Sequence, residues 1–125
     1  MEPTRVTAPH LQRGRQAEQA AEGWLRERGL QTLARNYRSP FGEIDLIMRD
    51  GSSVVFVEVR SRRRRRPVGA AESIDSAKCA RLAATAEHFL QRNRALATSA
   101  CRFDVVTIEG EPARLTWLRD AFQAD

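Results

Sequence analysis

Lysine is almost missing from this chain. Its 125 residues carry 21 basic side chains, and Lys78 is the one lysine among them; the rest are arginine. Cysteine is nearly as scarce. Cys79 and Cys101 stand alone, with no C-x-x-C pair, which argues against a zinc site. They read as two reduced, largely buried thiols. Histidine occurs twice, as His10 in a polar N-terminal stretch and as His88. Neither is placed for a Ser-His-Asp or Cys-His mechanism. No apolar run approaches the roughly 20 residues of a membrane helix. Met1 to His10 has no apolar h-region, so it does not read as a signal peptide. These absences point to a soluble, cytoplasmic protein.

What remains is enough for one core. Hydrophobic residues make up 42% and charged residues 30% of the chain. That balance fits a single folded domain and excludes wholesale disorder. The net charge is +5, and the arginine bias suits bidentate contact with phosphate. A polyanion is the expected partner, with nucleic acid first.

Residues 1–10, with Pro3 and Pro9, read as a frayed tail, and 11–122 as one α/β domain. Leu11 to Arg28 is helical in pattern. Ala17, Ala20, Ala21, Trp24 and Leu25 form its apolar stripe, and Gly29 ends it. Leu30 to Arg38 has strand character up to Pro40. Ile44–Arg49 and Val54–Arg60 read as two strands joined by the hairpin signature Asp50-Gly51-Ser52-Ser53. Val54-Val55-Phe56-Val57 is apolar on both faces, so its strand should be central. A second helix should start near Ser73 as N-cap and run to about Arg94, burying Leu82, Ala86, Phe89 and Leu90. Arg102–Ile108 and Arg114–Leu118 complete the order α-β-β-β-α-β-β. This predicts a mixed sheet flanked by helices.

The hairpin concentrates the chemistry. One register pairs Arg49 with Val54 and sets Asp45 opposite Glu58. Another pairs Asp45 with Phe56 and sets Glu58 on the diagonal. Both put the two carboxylates on one face, about 5–8 Å apart at Cβ. Like charges so placed repel, and the apolar surroundings raise the cost. A divalent cation, Mg²⁺ or Mn²⁺, would relieve it. Neutralisation by Arg60 and nearby arginines is the alternative. Lys78 lies one turn before Leu82, about 40° from the centre of the apolar stripe, so it faces inward. It is a candidate to reach the carboxylates.

Gly42-Glu43-Ile44-Asp45-Leu46-Ile47, Val55-Phe56-Val57-Glu58-Val59-Arg60-Ser61-Arg62 and Arg102-Phe103-Asp104-Val105-Val106 closely resemble the YraN family (UPF0102) of small bacterial proteins. The resemblance runs from Leu11 to Phe122 and includes Asn36-Tyr37-Arg38. It implies a restriction-endonuclease-like fold, whose D…(D/E)-x-K signature marks metal-dependent nucleases and Holliday-junction resolvases. By that resemblance Asp45 and Glu58 are metal ligands, and so is the carbonyl of Val59. Glu18, on the first helix, would approach the metal; Glu43, at the strand end, is a weaker candidate. Arg60 occupies the lysine position. Arginine stays protonated and cannot act as a base, though it can stabilise phosphate charge. The arginine run Arg62, Arg63, Arg64, Arg65 and Arg66 would hold a phosphate backbone, with Arg38 and Arg102 as further contacts. Arg102 also shares a strand face with Asp104, which suits an ion pair.

The leading expectation is a Mg²⁺- or Mn²⁺-dependent endonuclease-like protein that hydrolyses phosphodiesters, with branched DNA a candidate substrate by resemblance to the resolvases. The alternatives are a nucleic-acid-binding module of the same fold without useful turnover, and a basic protein-interaction factor. A homodimer is expected by analogy with the resolvases.

Overall fold

The computed structural model describes residues 9–62 and 75–122, with the backbone alone considered at 9–13 and 62. Helix α1 spans Pro9–Glu27. It starts before the expected Leu11, so Pro9 and His10 belong to the helix; the rest of the expected tail lies outside the described residues. Proline suits a first helical position because its missing N–H would have no partner there. At the other end Gly29 adopts φ +101°. Leu30 N–H donates to Leu25 C=O and Gly29 N–H to Arg26 C=O. This is a Schellman stop, as the glycine predicts.

Strands β1 (Gln31–Ser39), β2 (Gly42–Asp50) and β3 (Ser53–Arg62) follow. Helix α2 spans Ser76–Arg92, and β4 (Cys101–Glu109) and β5 (Arg114–Phe122) end the order. The N-cap of α2 is Asp75, whose carboxylate accepts from Lys78 N–H. The expected cap, Ser73, lies outside the described residues, and the helix begins two residues later than that cap implies. Aspartate caps as well as serine does, and here it sits next to the apolar run.

The five strands form one sheet in the order β1-β2-β3-β4-β5. All neighbours are antiparallel except β3 and β4, which α2 connects in parallel. Hence β3 is central, as its two-faced apolar run predicts. α1 covers one face, where Ala21 and Leu25 pack with Leu46, Met48, Val55, Val57 and Val106. α2 covers the other, where Leu82, Ala86 and Phe89 pack with Ile44, Ile47, Phe56 and Phe103. The architecture is a single α/β domain of three layers.

Three details depart from expectation. Ala20 is exposed, while Glu22 is buried. Cys101 is exposed rather than buried, and Cys79 is half-buried; both are free thiols. β5 continues to Phe122, four residues past the expected end, because its aromatic ring stacks on Phe103 at 4.8 Å. No helix among the described residues is long and apolar enough to cross a membrane.

Candidate active site

The hairpin register is the first of the two expected. Arg49 pairs with Val54 and Leu46 with Val57. That ladder stops at Leu46 and Val57, yet β2 still pairs with β1 as far as Gly42, and β3 with β4 as far as Arg62. The sheet therefore forks between β2 and β3. Val54 N–H donates across to Ala100 C=O on the β4 side. Backbone groups alternate sides along a strand, so the peptide of Val59 faces β2. Its N–H donates to Asp45 Oδ2 at 2.8 Å instead of to a strand carbonyl. A carboxylate thus completes the ladder at the fork.

A break in β1 and β2 aims Asp45 into this opening. Ile44 and Ile47 belong to the same core cluster although they are three positions apart. Strict alternation would put them on opposite faces. Across the ladder, Tyr37 pairs with Ile44 and Arg35 with Leu46, and Asn36 stands between them. Asn36 has φ +49°, a left-handed conformation that asparagine tolerates better than other side chains with a Cβ. Its Nδ2 donates to Glu18 Oε1 at 2.8 Å. Asn36 stands in the sequence motif, but its role as the hinge beside Asp45 is visible only in the structure.

Glu58 reaches the fork from β3 and is 7% exposed. Lys78 Nζ lies 2.9 Å from Glu58 Oε2. The inward placement read from the helix stripe is correct, and the chain's single lysine meets the second carboxylate. Arg60 Nε is 4.0 Å from the same oxygen. That buried nitrogen has no hydrogen-bond partner. Burial pushes the Asp45 carboxyl up to about 8, and the nearby Glu58 charge adds to the effect. The Val59 N–H opposes the shift, while the charge of Glu18 and a side-chain hydrogen bond with it reinforce the rise. Glu18 of α1 is therefore an electrostatic neighbour of Asp45, as the family resemblance implies.

The three carboxylates do not form a closed cage. Among the described residues, no three His, Cys, Asp or Glu side chains converge as a metal-ligand set. Lys78 instead supplies the positive charge at Glu58. Glu43 is exposed beyond the fork.

The arginines divide. Arg38 is exposed near the β1–β2 turn. Arg62 ends β3, and Arg63 to Arg66 lie outside the described residues. Arg102 is committed elsewhere. Its Nε donates to Asp104 at 3.0 Å and its Nη2 to Asp50 at 2.9 Å. The ion-pair reading of Arg102 holds: its Nε and Nη2 are engaged by two aspartates.

An ion pair that the sequence did not reveal joins buried Glu22 to exposed Arg35, at 2.7 Å. Thr32 donates to the same carboxylate. Glu22 sits one position beyond Ala21 of the apolar stripe, and an acidic residue so close to an apolar stripe was the available signal.

The family model "Uncharacterised protein family UPF0102" matches residues 17–108. A UPF0102 protein of Pseudomonas aeruginosa is 52% identical over 116 residues, covering 90% of this chain and 93% of its own. One from Nitrosococcus oceani is 50% identical over 120 residues, covering 94% and 97%. One from Xanthomonas oryzae pv. oryzae is 49% identical over 120 residues, covering 96% and 98%. The matched span runs from α1 through β4 and so includes Glu18, Asp45, Glu58 and Lys78: the chain belongs to the UPF0102 family.

Proposed function

We propose that this protein is a metal-dependent, nuclease-like DNA-binding protein whose chemistry centres on the β2–β3 fork. The observation that carries the reading is the meeting of Asp45, Glu58 and Lys78 where the ladder ends. An acid, an acid and a lysine at a strand fork match the needs of the restriction-endonuclease-like signature, with the lysine supplied by α2 rather than by β3.

The donor chemistry fits a hard divalent cation. Asp45 and Glu58 present oxygen on adjacent strands, and burial leaves Asp45 without a compensating charge of its own. Mg²⁺ typically takes one or two carboxylates and completes its shell with water and phosphate, so a closed protein cage is not required. Asp45, Glu58 and the Val59 carbonyl would hold it, with Glu18 behind Asp45. When bound, the cation would supply an acidified water and charge stabilisation at a phosphodiester. Lys78 would turn its ammonium from Glu58 to the phosphate or the water. Arg60 keeps its proton and would stabilise negative charge. Arg62 to Arg66 follow directly in sequence and would hold the backbone on either side.

Calorimetric titration with Mn²⁺, with wild type beside Asp45→Asn, tests the site without a guess about substrate. Binding by wild type and not by the variant is expected. Repeating it with a short DNA covers sites that assemble around phosphate. A Mn²⁺ cleavage screen of duplex and branched DNA then tests hydrolysis, and Asp45→Asn should bind DNA but not cut it. Equal cutting by both would show that the activity is not from this site.

A second reading is a binding module without turnover. The arginine at position 60, where the signature has lysine, favours it. Salt-sensitive DNA binding without cleavage by either protein would establish it. A partner in the form of an acidic protein would show instead as failure to bind any nucleic acid.

A further inference from the structure

The β1–β2 turn carries Phe41, a residue 52% exposed. A large apolar side chain at a turn tip is ordinary where the turn is loose. This turn is anchored. Ser39 Oγ accepts from Phe41 N–H at 3.0 Å and meets Thr85 Oγ1 of α2 at 3.1 Å. Thr85 is fully buried and donates to Arg81 C=O. Gly42 has φ +150°, and a Cβ there would stand 3.5 Å from Thr85 Oγ1 and 3.6 Å from Arg81 Cβ. The turn is thus pressed against α2 and tied to it. Phe41 meets one ring, His88, edge-on at 6.3 Å between centroids, and His88 is itself fixed by Tyr37 Oη at 2.6 Å. The structure therefore holds the backbone and one edge of the ring in place and leaves the rest of the ring to solvent.

Two arginines near the turn are unspent. Arg38 of β1 stands three positions before Phe41, and Arg81 of α2 lies beside Gly42, the residue after Phe41. Both are exposed, and neither joins an ion pair among the described residues. Arg102, with two aspartates, shows the contrast. Glu43, opposite Arg38 in the ladder, is the acidic residue of this arm. The tip lies at the end of β2 toward which the fork opens. Asp45 is four positions after Phe41, at most about 13 Å at ~3.3 Å per residue. That is less than four stacked base steps of ~3.4 Å.

We propose that Phe41, flanked by Arg38 and Arg81, is a stacking platform for an unpaired nucleobase, and that it directs the fork toward single-stranded or frayed nucleic acid. This rests on the nucleic-acid reading above and specifies its substrate class. Every base has a π-face, so such a platform selects exposed bases without reading sequence, while arginines track the backbone. In duplex DNA the base faces are covered, and the ring has no target.

The test is binding without turnover, in EDTA, followed by fluorescence anisotropy. The probes are a labelled 20-nucleotide single strand, its duplex and a forked duplex with the same sequence. Wild type, Phe41→Ala, Phe41→Trp and Arg38→Ala are compared after thermal melts show that each is folded. Phe41→Ala is expected to weaken single-strand and fork binding by about 5- to 100-fold, with duplex binding unchanged to about twofold. Phe41→Trp should retain the preference. Arg38→Ala should weaken all three probes and reduce the salt slope by about one. A 2-aminopurine in the single strand should be quenched by wild type and not by Phe41→Ala. Equal binding of all probes by wild type and Phe41→Ala overturns the proposal, and so does an equal loss on duplex and single strand. Wild type that binds none of the probes at low salt overturns the platform and the nucleic-acid reading together. If the Phe41 effect appears but Mn²⁺ brings no cleavage, hydrolysis fails and the platform stands. If Asp45-dependent cleavage appears and Phe41→Ala is silent, the platform fails alone.

Discussion

Asp45 is the residue at which stability and chemistry pull apart. In the unfolded chain it ionises near 3.8, and in the fold near 8, because burial, then the Glu58 charge, disfavours its anion. A folded pKa above the unfolded one contributes stability that is complete below 3.8 and is lost as pH rises through 8. The side chain of an Asp45→Asn variant cannot ionise, yet its amide oxygen can still accept from Val59 N–H. The variant should therefore melt above wild type in EDTA at pH 8, by at least about 3 °C for a gain of ~1 kcal/mol. The gap should close toward pH 4. Equal melting at both pH values would mean that the carboxyl is better solvated than its position implies. Lys78 makes the opposite case. Lys78→Met leaves buried Glu58 without its nearer cation, with Arg60 still 4.0 Å away, a loss of about 1–3 kcal/mol once partial exposure of the lysine is allowed for. Lys78→Arg should restore most of the melting temperature. Under the hydrolytic reading it should not restore cleavage, because guanidinium differs in shape and holds its protons more tightly.

At the scale of elements, α1 is joined to the sheet by more than its apolar stripe. Glu22 accepts from Arg35 and Thr32 of β1. The hydrogen bond from Arg35 holds the Glu22 carboxyl below its ordinary range against the opposing effect of burial. A depressed pKa contributes stability above the unfolded value of 4.5 that is lost as pH falls through the folded value. Glu22→Gln should cost about 1 kcal/mol at pH 7, since Arg35 is largely exposed. The difference from wild type should vanish in melts near pH 3. A cost that persists at pH 3 would point to packing rather than charge. This contact also holds α1 in the place from which Glu18 reaches Asn36 and Asp45, so under the proposed metal-dependent reading the variant should weaken Mn²⁺ binding as well as the fold.

Over the whole molecule two neighbouring acidic sites of the sheet have opposite designs. Asp104, fully buried and level with Val57 in the β3–β4 register, ties β4 to β5 and, through Arg102, to β2. It accepts from Arg102 of its own strand and from Trp117 Nε1 and Asp120 N–H of β5. Arg102 reaches on to Asp50 of β2. Every oxygen of Asp104 has a donor, which is the condition for a buried charge to be tolerated. Asp104→Ala strips partners from Arg102 and Trp117 and should cost about 3–5 kcal/mol. A drop of less than ~1 kcal/mol in chemical denaturation would show that the network contributes little. One strand over, the sheet opens between β2 and β3, and there the acidic residues are incompletely compensated. Stabilising substitutions are accordingly expected at the fork and destabilising ones at the network.

Much of this was legible without coordinates. The element order follows from local periodicity, and the central place of β3 follows from its two-faced apolar run. The nearness of Asp45 and Glu58 follows from their places on neighbouring strands of one hairpin. The inward position of Lys78 follows from 3.6 residues per turn. These are short-range properties of the chain. What depended on tertiary structure is of another kind. The choice of register, the end of the β2–β3 ladder, the left-handed turn at Asn36 and the break between Ile44 and Ile47 that aims Asp45 come from the tertiary structure. Asp75 replaced Ser73 as the cap, and Cys101 came to the surface, because the ends of elements are set by their packing. The pairing of Arg102 with Asp104, two positions away, was legible in the strand period, but its second partner, Asp50, lies 52 positions away in the chain and only packing brings it there. The sequence specifies which faces are apolar and which side chains can do chemistry. Which of those side chains meet is decided by how the faces pack.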